Sequence, residues 1–122
     1  MISNFELEPQ PEVLAFLGPL ASGERFGEIR IARVEPVHRG RLTLELEDAQ
    51  GDRVTVDVHA RAANAPAGVA ETSRLALYVR SGRAGEATPA AAVRACTALA
   101  TALQAREEAG HTPPPLDSLA PR

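Results

Sequence analysis

The stretch from Arg41 to His59, RLTLELEDAQGDRVTVDVH, consists of two alternating runs joined by a short glycine-containing link. Leu42, Leu44 and Leu46 alternate with Thr43, Glu45 and Glu47, and Val54, Val56 and Val58 alternate with Thr55, Asp57 and His59. A period of two with one apolar and one polar set marks strands that have one dry and one wet face. If Leu46 pairs with Val54, the loop is Ala49, Gln50 and Gly51, and Gly51 takes the left-handed position that such a hairpin requires. The same register sets Arg41 opposite His59. Just upstream, Arg39 and Gly40 form a tight turn that sets His38 opposite Arg41.

On either side the pattern continues. Leu75, Leu77 and Val79 alternate with Ala76, Tyr78 and Arg80, which gives a strand with the same two faces. Before the central hairpin, Ile29 and Ile31 keep one phase while Val34 and Val37 do not, so a bulge or bend is expected near Glu35 and Pro36. Ahead of that strand, PEVLAFLGPL predicts a short helix opened by Pro11, with Val13, Leu14 and Leu17 facing inward, and stopped by Gly18 and Pro19. Beyond the last strand, Thr88 is a candidate N-cap for a helix that runs to about Glu108 and ends at Gly110. Its apolar stripe is Ala92, Cys96, Leu99 and Leu103; its polar stripe is Arg94, Thr97, Thr101, Gln104 and Glu108.

A meander with one dry face needs a cover, and these two helices provide the only apolar stripes. The expected fold is therefore α+β: a four-stranded antiparallel meander with a short N-terminal helix and a long C-terminal helix packed on one face. Residues 1–110 form the domain, with Phe5 and Leu7 on a polar N-terminal arm. Residues 111–122 form a proline-rich, extended tail in which Leu116 and Leu119 can make a docking turn on a partner or on the domain itself. Residues after Gly110 are expected to add little to stability. The last strand is short and free of proline and inward charge, so unless the Phe5 and Leu7 arm covers it, it lacks the usual protections of an exposed edge and suggests a homodimer or a partner joined there.

Composition narrows the function. The 122 residues suit one domain, and the net charge of -3 with 3% aromatic residues argues against a nucleic-acid binder. All 13 basic residues are arginine, a bias that, with the abundant alanine and proline, fits a GC-rich genome. No apolar run approaches the roughly 20 residues needed to cross a bilayer, and the first residues do not read as a secretory signal. A single cysteine excludes an internal disulfide and agrees with a reducing cytoplasm.

The candidate site lies on the wet face. Matching dry faces across the last two strands sets Arg74 beside His59, giving a row of His38, Arg41, His59 and Arg74 that would attract an anion or a partner carboxylate. The histidines then stand about 9 to 10 Å apart with a cation between them, too far for one metal held at about 2 Å by each ring. Next to the row come Asp57, Glu45, Tyr78 and Arg80, and the face grades from basic at one end to acidic in the middle. Cys96 reads as a small core residue. The 81–89 loop carries Arg83 and precedes a helix, but it lacks the lysine and spacing of a phosphate-binding loop. The 63–72 loop is long for a hairpin and suited to contact.

The resulting expectation is a non-enzymatic, cofactor-free accessory subunit, adaptor or inhibitor that presents its open sheet face, its long loop or its tail to another protein. The alternative is an anion-binding protein or small enzyme using the histidine and arginine row with the 81–89 loop.

Overall fold

A computed structural model describes residues 8–80 and 89–119. The Phe5 and Leu7 arm, Thr88 and the Arg83 loop lie outside the described residues. Helix α1 (Pro11–Leu17) has proline at its start and is followed by a 3-10 turn over Gly18–Ser22. Strands β1 (Arg30–Val34), β2 (Leu42–Glu47), β3 (Arg53–Ala60), β4 (Ala70–Glu71) and β5 (Leu75–Arg80) precede helix α2 (Pro89–Glu108). They form one antiparallel sheet in the order β1-β2-β3-β5-β4.

The central hairpin takes the expected register, with Leu46 opposite Val54 and Thr43 opposite Asp57. Gly51 is left-handed (φ 83°), and the Asp48 carboxylate accepts the Gln50 and Asp52 amides, which fixes the turn. In the preceding turn Arg39 (φ 53°) and Gly40 (φ 76°) both adopt positive φ, while His38 and Arg41 exchange both backbone hydrogen bonds. This is a type I′ geometry, in which Asn or Gly normally precedes Gly because a Cβ at positive φ costs on the order of 1 kcal/mol. Arg39 bears that cost.

Four expectations are corrected. There are five strands, because Ala70 and Glu71 of the long loop turn back and pair with Leu77 and Ala76 on the outside of β5. The edge that suggested a homodimer is therefore occupied along that stretch by the chain itself. The β1 irregularity falls at Ala32, between Ile31 and Arg33, rather than near Glu35 and Pro36; Glu35 already donates its amide to the Thr43 carbonyl in the shifted register. In α1 the buried residues are Val13, Phe16 and Leu17, whereas Leu14 is 41% exposed. A seven-residue helix leaves either face open to reading, and the larger Phe16 ring is the one buried.

The fourth correction concerns the tail. Leu116 is 1% exposed and belongs to the same core cluster as Leu42, Val58, Leu99 and Leu103. Ser118 donates its amide to the Pro115 carbonyl, so the chain turns there and carries Leu116 into the core. The docking turn closes on the domain itself, so this part of the tail packs with the domain and its removal is expected to cost stability.

α2 covers the dry face with Ala92, Ala95, Cys96, Leu99, Ala100 and Leu103 buried. Small side chains at four of these positions let the helix lie close to the sheet, so the core is mostly aliphatic, with Phe16 its one fully buried aromatic among the described residues. At its end Gly110 (φ 98°) donates to the Glu107 carbonyl, and His111 donates to that of Arg106, a Schellman-type stop.

Burial of Cys96 pushes its thiol up from 9.0 to about 11. Between those values the unfolded chain loses the thiol proton while the folded chain keeps it. Stability should therefore fall as pH rises, by about 1.4 kcal/mol per unit from this group. Urea unfolding of the native chain and Cys96→Ala at pH 9 and 10.5 should show the native chain losing more. An equal loss in both would assign the fall to other groups. Labelling by iodoacetamide should require unfolding.

Candidate functional site

The wet face is built by pairing positions across four strands. Glu47 stands between Arg30 and Arg53, Glu45 between Arg33 and Thr55, and Asp57 between Thr43 and Tyr78. The carboxylates hold most of the arginines. Arg30 donates through Nε and Nη2 to Glu47, at 3.2 and 2.8 Å. Arg53 reaches Glu45 with one amino group and lies 3.6 Å from Glu47 with its Nε. Arg80 grips Asp57 in a two-point fork, Nη2 at 2.7 Å and Nε at 3.1 Å, and the Thr43 hydroxyl donates to the same carboxylate at 2.8 Å. Thr43 and Thr55, short side chains amid these longer ones, are buried. The middle of the face is thus neutralised pair by pair, and the sequence gradient from basic to acidic survives only as a basic end whose cations have no hydrogen-bonded carboxylate among the described residues.

Asp57 is the hub of that arrangement. With a side chain only 14% exposed, its loss leaves the Arg80 fork and the Thr43 hydroxyl without their acceptor. Asp57→Ala should cost about 1 to 3 kcal/mol, and Asp57→Asn should cost less because the amide oxygen still accepts. Chemical denaturation checks both; equal losses would show that the charge, rather than the acceptor, is what holds Arg80.

His38, Arg41 and His59 come together at the basic end, as their register requires, and Arg39 joins them. The four line an open notch of about 250 Å³. Arg41 approaches Asp57 only to 4.0 Å, at a carboxylate already held by Arg80 and Thr43. The side chains of His38 and Arg39 have no hydrogen-bond or ion-pair partner among the described residues. His59 meets Tyr78 edge to face, with ring centres 5.5 Å apart.

Arg74 does not join the row. β3 and β5 pair so that His59 lies opposite Ala76, while the Arg61 amide donates to the Arg74 carbonyl. A two-residue slip keeps every side chain on its own face, so alternation cannot choose between the two registers. In the observed register the Arg61 side chain also donates to the Thr72 carbonyl at 3.0 Å, while the Thr72 hydroxyl accepts the Arg74 and Leu75 amides and closes the turn between β4 and β5.

On the other side of His59, a second concavity of about 410 Å³ is bounded by Ala62, Ala65, Pro66, Tyr78 and Asp117. The Tyr78 hydroxyl donates to the Pro66 carbonyl at 2.6 Å, which fixes the long loop against the sheet. Arg39 and Asp117 were missing from the sequence reading of the site. An arginine in a two-residue hairpin turn was a legible signal for the first; for the second, placement depends on where Leu116 docks. Away from the face, Glu107 has both carboxylate oxygens enclosed and without a hydrogen-bond partner among the described residues.

Comparison of the chain with protein-family models, with curated proteins and with solved structures gives no significant match in any of the three.

Proposed function

We propose that this protein is a non-enzymatic binding module, an accessory subunit, adaptor or inhibitor that presents the wet face of its sheet to another protein. The observation that carries this reading is the division of that face: its middle is a lattice of arginine and carboxylate pairs, while at one end the side chains of His38 and Arg39 have no ion-pair partner among the described residues and Arg41 has only a long one, 4.0 Å to an Asp57 already held by Arg80. Paired charges hold side chains in place and leave a firm, flat surface, and unpaired charges at its border steer and orient a partner of opposite sign. Tyr78 adds an aromatic group of the kind enriched at interfaces. The small-anion reading is second, supported by the notch itself.

The test is co-purification of the tagged chain from its own cells, beside a face variant carrying Arg41→Glu and Tyr78→Ala. A stoichiometric protein recovered with the native chain and lost with the variant supports the proposal. Recovery of no partner, together with a melting temperature raised by phosphate or small carboxylates, would replace it with the second reading.

A further inference from the structure

We infer that the notch lined by His38, Arg39, Arg41 and His59 is an oxyanion site that takes the side-chain carboxylates of an acidic segment on the partner. The inference rests on the binding-module reading and specifies the partner's chemistry.

Three observations meet here. The notch is lined by these four residues, two of them permanent cations and none of them a carboxylate. Elsewhere on the face carboxylates are held by arginine at hydrogen-bonding distance, as Glu47 and Asp57 are. Arg41 makes only a long ion pair, 4.0 Å to a carboxylate that already has three closer donor contacts, and its side chain is 44% exposed, so its donors are accessible. Most telling is the backbone. Arg39 sits at φ 53° in a turn position that favours Asn or Gly, so a side chain that strains the hairpin stands at the tip beside the cationic notch. A guanidinium offers five donors in a planar fork matched to a carboxylate, and two such groups flanked by imidazoles suit successive acidic side chains better than one compact ion.

One carboxylate of the chain itself lies close. Asp117 packs on the back of the turn, where a Cβ added to Gly40 would come within 2.8 Å of its Oδ1, and it borders the neighbouring concavity beside His59. Its ion pairs with Arg39 or Arg41 are absent among the described residues, so it flanks the notch without filling it.

The probe is a fluorescein-labelled peptide of eight glutamates, compared with its glutamine counterpart and with inorganic phosphate at low ionic strength. The glutamate peptide should bind, should perturb the backbone amide resonances of residues 38–41 and 59, and should be released by salt. Arg39→Asn and Arg41→Gln should each weaken binding about tenfold, the scale of one charge-assisted hydrogen bond. Arg33→Gln, an exposed arginine on the far strand of the same face, should leave it unchanged. Because Asn suits the turn better than Arg, Arg39→Asn should melt no lower than the native chain, which separates lost binding from lost folding. Equal weakening by Arg33→Gln would reduce the effect to diffuse attraction and overturn the site. Phosphate binding at the notch without the peptide would overturn the choice of ligand. If co-purification still finds a partner that the face variant loses while the peptide does not bind, the module reading stands and the notch inference fails.

Discussion

Truncation of the chain after Gly110 is expected to destabilise the domain by about 2 to 4 kcal/mol, lowering its melting temperature by roughly 10 °C. Leu116 is 1% exposed and lies in the core cluster, and Pro114 beside it is buried. Burying one leucine contributes about 1.5 to 3 kcal/mol by area, and its removal also uncovers the residues beneath it. Three consecutive prolines lower the entropic cost of holding this segment, since their φ angles are already restricted in the unfolded chain. Leu116→Ala should therefore reproduce most of the loss, while Leu119→Ala, at a partly buried position, should reproduce little. Thermal unfolding of the three variants decides it. A truncated chain that melts with the native one would place Leu116 outside the cooperative unit.

Gly68→Ala should be the most disruptive single methyl on the surface. A Cβ at this position would meet the Leu77 carbonyl at 2.7 Å, the Ala70 carbonyl at 2.8 Å and the Leu77 nitrogen at 2.9 Å. All three are backbone atoms and cannot swing aside. The loop must then lift from β5, breaking the bond from the Val69 amide to the Leu77 carbonyl and the β4 pairing. A loss of about 2 to 3 kcal/mol is expected, at the upper end of overpacking costs. Lifting β4 also bares the edge of β5, a run without proline or inward charge, so the variant should self-associate in sedimentation while the native chain does so less. Hydrogen exchange at the Val69 amide should accelerate ahead of the rest of the sheet. An unchanged melting temperature with a protected Val69 would mean that the loop has room the geometry denies.

The central hairpin was legible because strict alternation on both strands, a glycine in the link and a two-residue turn all imposed one register. The β3 and β5 register was not, because the long loop leaves two solutions that satisfy the faces equally, and alternation has no means of choosing between them. β4 is two residues long and has no period to detect. Leu116 stands alone among prolines, and a single apolar residue carries no phase. At the site, His38, Arg41 and His59 followed from the legible register, Arg74 failed with the illegible one, and Asp117 became visible only once the tail was placed.

Arg106 draws the two ends of the chain together. Its Nε donates to the Phe16 carbonyl at 2.9 Å, and its guanidinium fills the space at Gly18, where a Cβ would lie 2.4 Å from Nη2. The last turn of α1 thus receives a donor from a residue 90 positions downstream. During synthesis the hairpins of β2 with β3 and β3 with β5 can close from neighbouring sequence, but α1 must wait for nearly the whole chain before its end is capped. Contacts of such long separation slow folding, because a large loop must close before they form. The N-terminal helix should accordingly be the last element to become protected in pulse-labelled refolding, and the sheet alone should be what a ribosome-bound fragment ending before residue 89 presents to proteases.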